Sequence, residues 1–168
     1  MARIAGLDAA VATDRMTNAM RGFNMEINET NASHVADVYS NLAAKSASNV
    51  DELSTAMTKT ASIASSANMQ FENVAAFLAQ GIETTRESAD TIGTMLKTVI
   101  GRFTEVKKAW SEGDLKAEVD GEEINVNRVA EALRTAGINM NDFFTGARGL
   151  DEVFIELSSK WNDLDLIT

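Results

Sequence analysis

The sequence contains no cysteine and no proline among its 168 residues, and only 6% of the residues are aromatic. The lack of cysteine excludes disulfides, thiolate zinc sites and cysteine nucleophiles. Without proline, the helix ends have to be set by glycine, by asparagine caps and by polar segments. A single histidine, His34, excludes a metal site built from several histidines. Its polar neighbours favour an ordinary position at the surface or near a helix cap.

Long hydrophobic runs are missing as well. No apolar stretch approaches the roughly 18 residues of a membrane-spanning helix, and the N-terminus lacks the apolar centre of a signal peptide. We therefore expect this segment to be soluble and to make no membrane contact.

Basic charge is scarce, with 15 Lys and Arg against 25 Asp and Glu. The deficit is concentrated in residues 111–168, where 5 basic and 13 acidic side chains give a local net charge of −8. Because an acidic domain repels a phosphate backbone, we expect no direct binding of nucleic acid.

What the sequence does contain is helical periodicity, clearest between residues 71 and 110. One apolar face follows steps of three and four: Ile92, Met95, Leu96, Val99, Ile100, Phe103, Val106 and Trp110. Ala89, Gly93 and Gly101 form a neighbouring stripe, where small side chains let another backbone come close, within the chain or between subunits. We expect the apolar face to be buried against residues 53–67 or 71–82, and also against residues 153–161.

The pattern predicts an all-α fold, with an antiparallel bundle over residues 1–112. Asn49 and Glu52 form a capping-box pattern at the start of one helix. The predicted helices cover residues 2–22, 32–47, 49–68, 71 to about Gly81, and 88–111.

Residues 113–168 are predicted to form a small, acidic, α-rich subdomain. Asp120 and Gly121 indicate a turn or a short β-hairpin, and Gly137 is suited to end a helix. Residues 138–144 are expected to be a short strand or an extended arm. A last helix over 150–164 carries Trp161, which we group with Phe103 and Trp110 as residues that either pack in the core or contact a partner.

No constellation of residues points to catalysis, to a cofactor or to a metal. Aligning Gly121 with the sixth position of an EF-hand loop puts Lys116 and Asn127 at its first and last ligand positions, so the motif fails. Glu83 and Glu87 are more simply explained as part of an exposed charge network at a helix start. A helical lytic glycosidase would need an isolated buried glutamate in a saccharide cleft. We therefore predict that the protein is not an enzyme.

The run ETTRESADTIGTMLKTVIGRF, residues 83–103, resembles the core segment of the tail tape measure proteins of long-tailed bacteriophages. Three further pieces agree in order and spacing: NVDELSTAMTKTASIASSANMQFENVAAFLA, the DGEE turn followed by VAEALRTAGI, and LDEVFIELSSKWNDLD. Together they cover roughly residues 20–165. We call the first seven residues of the run the family-like motif: Glu83, Thr84, Thr85, Arg86, Glu87, Ser88 and Ala89.

This resemblance implies a mainly helical protein of the virion that occupies the tail tube lumen, sets tail length and leaves with the DNA. It also implies an earlier stage in the host cytoplasm, with tail tube, tail tip and tail assembly chaperone proteins as partners besides the chain itself, which we expect to form a homo-oligomer. Family members are usually much longer, so we expect this chain to be an excised segment. The alternative is a generic helical interaction domain of a bacterial effector or a pore-forming protein.

Overall fold

The computed structural model of the protein describes residues 8–114, 116–119 and 121–164. The predicted all-α fold is confirmed, with a small two-stranded sheet near the C-terminal end. In chain order, the elements in these ranges are α1 (Ala9–Gly22), α2 (Glu29–Lys45), α3 (Val50–Ser66), α4 (Phe71–Thr85), α5 (Ala89–Glu112), β1 (Lys116–Val119), β2 (Glu122–Asn125), α6 (Val126–Thr135), α7 (Asn141–Thr145) and α8 (Leu150–Leu164).

The chain divides into two compact units. The first unit consists of the described residues up to Ser66 together with Gln70–Thr98, and the second consists of Ala67–Met69 and the described residues from Val99 onward. Helix α5 therefore contributes its first part to one unit and its remainder to the other. The division at residues 112 and 113, expected from the sequence, stays a prediction.

Helix starts in the first unit are set by local side-chain caps. The predicted capping box is confirmed: the Asn49 side chain accepts from the Glu52 amide, and the Glu52 carboxylate accepts from the Asn49 amide, both at 2.9 Å. Asn28 accepts from the Asn31 amide at 2.9 Å in the same way. The helix α2 was predicted to begin at about residue 32. It begins at Glu29, because Asn28 caps it.

The core of the first unit lies between α1, α2, α3 and α4, since each of these helices contributes buried apolar side chains. Leu53, Val74 and Leu78 are completely buried. Phe71 meets two other rings edge-on, Phe23 at 5.5 Å and Tyr39 at 5.6 Å between centroids. Edge-to-face pairs of this kind add stability beyond the area that they bury.

The fourth helix extends further than the sequence indicated. It was predicted to end near Gly81, but α4 continues to Thr85 and Arg86 closes it in the left-handed conformation, with a φ of 61°. Gly81 was misread because a glycine late in a helix usually marks its end. Here it lies inside the helix, where a Cβ would come within 2.9 Å of Ile92 on α5.

The predicted hairpin is present in the second unit. Strand β1 pairs antiparallel with β2, with Ala117 opposite Ile124 and Glu118 opposite Glu123. Gly121, at a φ of 81°, takes the left-handed turn conformation that suits glycine. Residue 120, the other predicted turn residue, lies outside the described residues.

The expected strand or extended arm at residues 138–144 was wrong. Asn141–Thr145 forms the short helix α7, which ends at Gly146 with a φ of 82°. The two adjacent rings Phe143 and Phe144 are both buried, at 0% and 4% exposure. Neighbouring side chains of a strand point to opposite faces, whereas a helical turn can direct both rings inward.

Candidate packing and partner surfaces

Gly93 marks a close approach of two helix backbones in the first unit. It is buried on α5, and a Cβ at this position would lie 2.6 Å from the carbonyl oxygen of Ala56 on α3. The nearest atom belongs to the backbone of Ala56, so a simple rotation of a side chain could not relieve the overlap. Beside this contact, Lys59 of α3 forms an ion pair with Asp90 of α5 at 3.0 Å. The position therefore has space for glycine only.

A second such approach joins α1 and α3. A Cβ at Gly22 would overlap the side chain of Ala61 on α3. Gly22 was predicted only as the last residue of the first helix, and this contact was not predicted. The sequence did contain an indication of it, namely the small residues Ala12, Ala19 and Gly22 on one side of α1. Ala12 and Ala19 are both buried. Of the remaining predicted stripe on α5, Ala89 and Gly101 are both half-buried.

The apolar face of α5 is buried only in part. Ile92, Ile100 and Val106 are at most 5% exposed, and Phe103 is half-buried. The expectation that the whole face is buried was wrong for three residues: Met95 at 53% exposure, Val99 at 41% and Trp110 at 38%. Periodicity assigns a residue to a face, but it does not say whether another element reaches that point along the helix.

Aromatic side chains hold the second unit together. Phe103 of α5 meets Phe154 of α8 edge-on at 5.5 Å and Phe143 of α7 at 6.4 Å. Trp110 stacks on Phe144 at 5.0 Å, with an angle of 16° between the ring planes. Trp110 is thus both a packing residue and partly exposed, which suits either of its predicted roles. The side chain of residue 161 lies outside the described residues, so the prediction for Trp161 stands as it was made.

Next to this cluster, Lys107 of α5 places its ammonium 4.8 Å from the centre of the Phe143 ring. A cation over an aromatic face is attracted by the ring quadrupole. Phe143 and Phe144 were not among the predicted packing residues, because their segment was predicted to be a strand or an extended arm.

The family-like motif spans the last three residues of α4, the turn after them and the first residue of α5. The Thr85 hydroxyl donates to the Gly81 carbonyl at 2.8 Å, and Arg86 follows in the left-handed conformation. The Ser88 hydroxyl accepts from the Thr91 amide at 3.2 Å and so caps α5. The motif therefore supplies an end for one helix and a start for the next.

Among the described residues, two titratable groups have shifted pKa values, and both shifts have structural causes. Burial raises the pKa of the Tyr39 hydroxyl above its ordinary range. Hydrogen bonds from Lys160 and Arg148 lower the pKa of Glu156. His34 is exposed, as predicted, and its Nε2 lies 2.7 Å from a carboxylate oxygen of Glu72 on α4.

The described ranges contain no group of three or more His, Asp or Glu side chains placed to hold a metal ion. Among the helices of these ranges, none combines the length and the apolar character that crossing a membrane requires.

The fold and its surfaces thus define a helical packing module, and comparison with known proteins gives its class. The profile of the phage-related minor tail protein family matches residues 1–166, and the chain belongs to this family. It is therefore a structural protein of the phage tail.

A particular relative agrees with this class. Over 109 residues the chain is 28% identical to the tape measure protein of Pneumococcus phage Dp-1, which confirms the resemblance noted in the sequence. The aligned region covers 65% of this chain and 9% of that relative, so the chain spans only a small part of the relative's length. No solved structure matches the chain.

Proposed function

We propose that this chain is a segment of a tape measure protein that helps to set tail length and occupies the tail tube lumen until it leaves with the DNA. The observation that supports this most is the family match over residues 1–166, together with the alignment to a tape measure protein. Before assembly, the protein is in the host cytoplasm. Its role is structural and not enzymatic.

The packing of the helices supports a structural role. The contacts at Gly93 and Gly22 bring helix backbones close together without bulky side chains between them. Such slim helices suit a protein that has to fit in a narrow tube. Glu83 lies in the last turn of α4 and Glu87 in the loop before α5, and Thr85, Arg86 and Ser88 form the helix ends there. Exchange of both glutamates for glutamine should therefore leave tail assembly intact.

The direct test is an in-frame deletion of this segment in the phage that encodes it, with tail lengths measured by electron microscopy. We expect shorter tails, and longer tails when the segment is duplicated. An α-helix rises about 1.5 Å per residue, so the change should not exceed roughly that value for each residue removed or added. Assembled tails of unchanged length in both variants would contradict the proposal.

We further propose that the segment binds protein and not DNA. The partners are other copies of the chain and the tail tube, tail tip and chaperone proteins. Exposed apolar side chains such as Met95, Val99 and Ile155 favour self-association, because they leave apolar area in contact with water. Light scattering should give a mass above that of one chain. A mass of a single chain at high concentration would remove the oligomer from the proposal.

The same preparation tests the DNA prediction. An anisotropy titration with labelled DNA at low salt should show no binding, because residues 111–168 carry a net charge of −8. Binding that weakens with added salt would overturn the charge argument.

A further inference from the structure

We propose that the outer edge of β1 is a docking site for an extended, basic segment of another protein. This inference goes beyond the tail role proposed above and does not depend on it. It rests on an open strand edge, on a groove beside that edge and on the charges that line the groove.

The edge of β1 is open within the described residues. The sheet has two strands, so β1 pairs with β2 and with no other described strand. Alternate residues of an edge strand direct their N–H and C=O groups away from the sheet, where an added strand can bond to them. A two-stranded hairpin has little stability of its own. A third strand would therefore both bind and stabilise it.

The exposed face of the hairpin carries an unfavourable pair of charges. Glu118 lies directly opposite Glu123 in the register, and both are exposed. Like charges in this arrangement destabilise a sheet. Lys116 forms an ion pair with Glu123, but within the described residues Glu118 has no basic partner. A positive side chain on an added strand next to β1 would supply one.

A groove of about 280 Å³ runs between β1 and the C-terminal part of α5. Its lining contains four carboxylates and two lysines: Glu105, Lys108, Ala109, Glu112, Asp114, Lys116, Ala117 and Glu118. The last turn of α5 has no basic residue, so the partial negative charge of the helix end is not neutralised there. Strand edge and helix end thus both favour a cation in the same groove.

These charges decide between the possible occupants. A second copy of the hairpin would bring its own Glu118, Glu122 and Glu123 next to the same carboxylates, which costs energy. Nucleic acid is repelled for the same reason. An extended segment in which basic and small apolar residues alternate satisfies both the backbone groups and the carboxylates.

The test uses the whole chain and a labelled, end-blocked peptide in which lysine and valine alternate. Fluorescence anisotropy at low salt should detect binding of this peptide. A peptide with glutamate in place of lysine should not bind. A lysine peptide with proline at its central position keeps the charge but cannot continue the ladder, and it should bind about tenfold more weakly.

A matched pair of variants locates the site. Glu118→Lys should weaken binding of the lysine peptide by about tenfold. It also removes the like-charge pair, so the hairpin itself should persist. Glu29→Lys makes the same charge change at an exposed position of the first unit and should leave the affinity unchanged.

Four results would overturn the proposal. They are no binding of the lysine peptide, equal binding of its proline version, equal losses in Glu118→Lys and Glu29→Lys, and equal binding of a peptide with the chain's own residues 116–125. The last result would make a second copy the occupant of the edge.

Discussion

The two units of this chain hold their helices together by different means. In the first unit, α5 and α1 each pack closely on α3 at a glycine, Gly93 and Gly22 respectively. Because glycine has no side chain, the helix backbones come close together there. In the second unit, the rings of Phe103, Phe143 and Phe154 fill the space between α5, α7 and α8. One helix, α5, serves both kinds of packing along its length.

The contrast is not absolute. The first unit has its own aromatic group around Phe71. The second unit has a close glycine contact with backbone, because a Cβ at Gly149 would overlap the carbonyl oxygen of Asn68. The two units differ in how α5 is held: by the backbone contact at Gly93 in the first unit, and by the aromatic contacts of Phe103 in the second. A substitution should therefore be judged by its place along α5.

The largest effect is expected for Phe103→Asp, which places a charge among the rings of the second unit. Removing a fully buried phenylalanine side chain costs about 3–5 kcal/mol, and the half-buried Phe103 should account for a large part of that cost. An unpaired carboxylate among the rings adds to it. We expect the second unit to unfold or the protein to aggregate, as measured by near-ultraviolet circular dichroism. Ile155→Asp is the control, because this α8 side chain is 47% exposed. A Phe103→Asp protein as stable as Ile155→Asp would refute the aromatic packing.

Gly93→Leu tests the backbone contact of the first unit. Overpacking against Ala56 should lower the free energy of unfolding by about 1–3 kcal/mol or more. Thr94→Leu, at the next and exposed position of α5, should instead stabilise the helix slightly, since leucine is the better helix former. Thermal denaturation of both variants decides the matter, and a higher melting temperature for Gly93→Leu would contradict the close contact.

The third prediction concerns Tyr39, whose buried hydroxyl has no hydrogen-bond partner among the described residues. Tyr39→Phe keeps the ring contact with Phe71 and removes the unsatisfied group, so stability should rise by about 1 kcal/mol. Tyr39→Leu, which loses the ring, should be less stable than the parent. Urea denaturation measures both changes, and a destabilised Tyr39→Phe would show that the hydroxyl makes a bond.

The same residue gives a pH dependence. Burial raises the pKa of Tyr39 in the folded state, so the unfolded chain loses this proton first. Its contribution to stability is complete below about pH 10, the ordinary value for tyrosine, and falls as the pH rises further. Tyr39→Phe should lack this alkaline loss.

The smallest effect is expected for Glu156→Gln on α8. The bonds from Lys160 and Arg148 lower the pKa of Glu156, so the charged form is favoured in the folded state. Its stabilisation is present above the ordinary value near 4.5 and is lost as the pH falls through the lowered folded value. Glu156→Gln should therefore be less stable than the parent at neutral pH and equal to it in acid. Glu152→Gln, at a more exposed position, should change less.

The sequence predicted what depends on nearby residues. The Asn49 capping box, the turn at Gly121 and the final helix all follow from side chains within a few positions of one another. The errors arose where distant contacts decide. Gly81 lies inside its helix because Ile92 packs where a side chain would be, so this glycine serves packing and not termination. Phe143 and Phe144 lie in a helical turn, where both rings are buried.

The candidate surfaces follow the same rule. Spacing alone identified Gly93 as a close approach, although it did not identify the partner helix. Met95 and Val99 lie where α5 passes from the first unit to the second. Their exposure could not be predicted, because a periodic pattern does not show where a neighbouring helix ends. The acidic groove beside β1 combines residues from α5 and β1, so it became visible only with the fold.

The most direct test of the contrast between the units is hydrogen–deuterium exchange of Gly93→Leu against the parent protein. If backbone contact holds α5 to α3, amides of residues 50–66 and 89–98 should exchange faster in the variant. The change in those segments should exceed any change in residues 141–160, where aromatic rings provide the packing. Unchanged exchange in residues 50–66 and 89–98 would contradict the account.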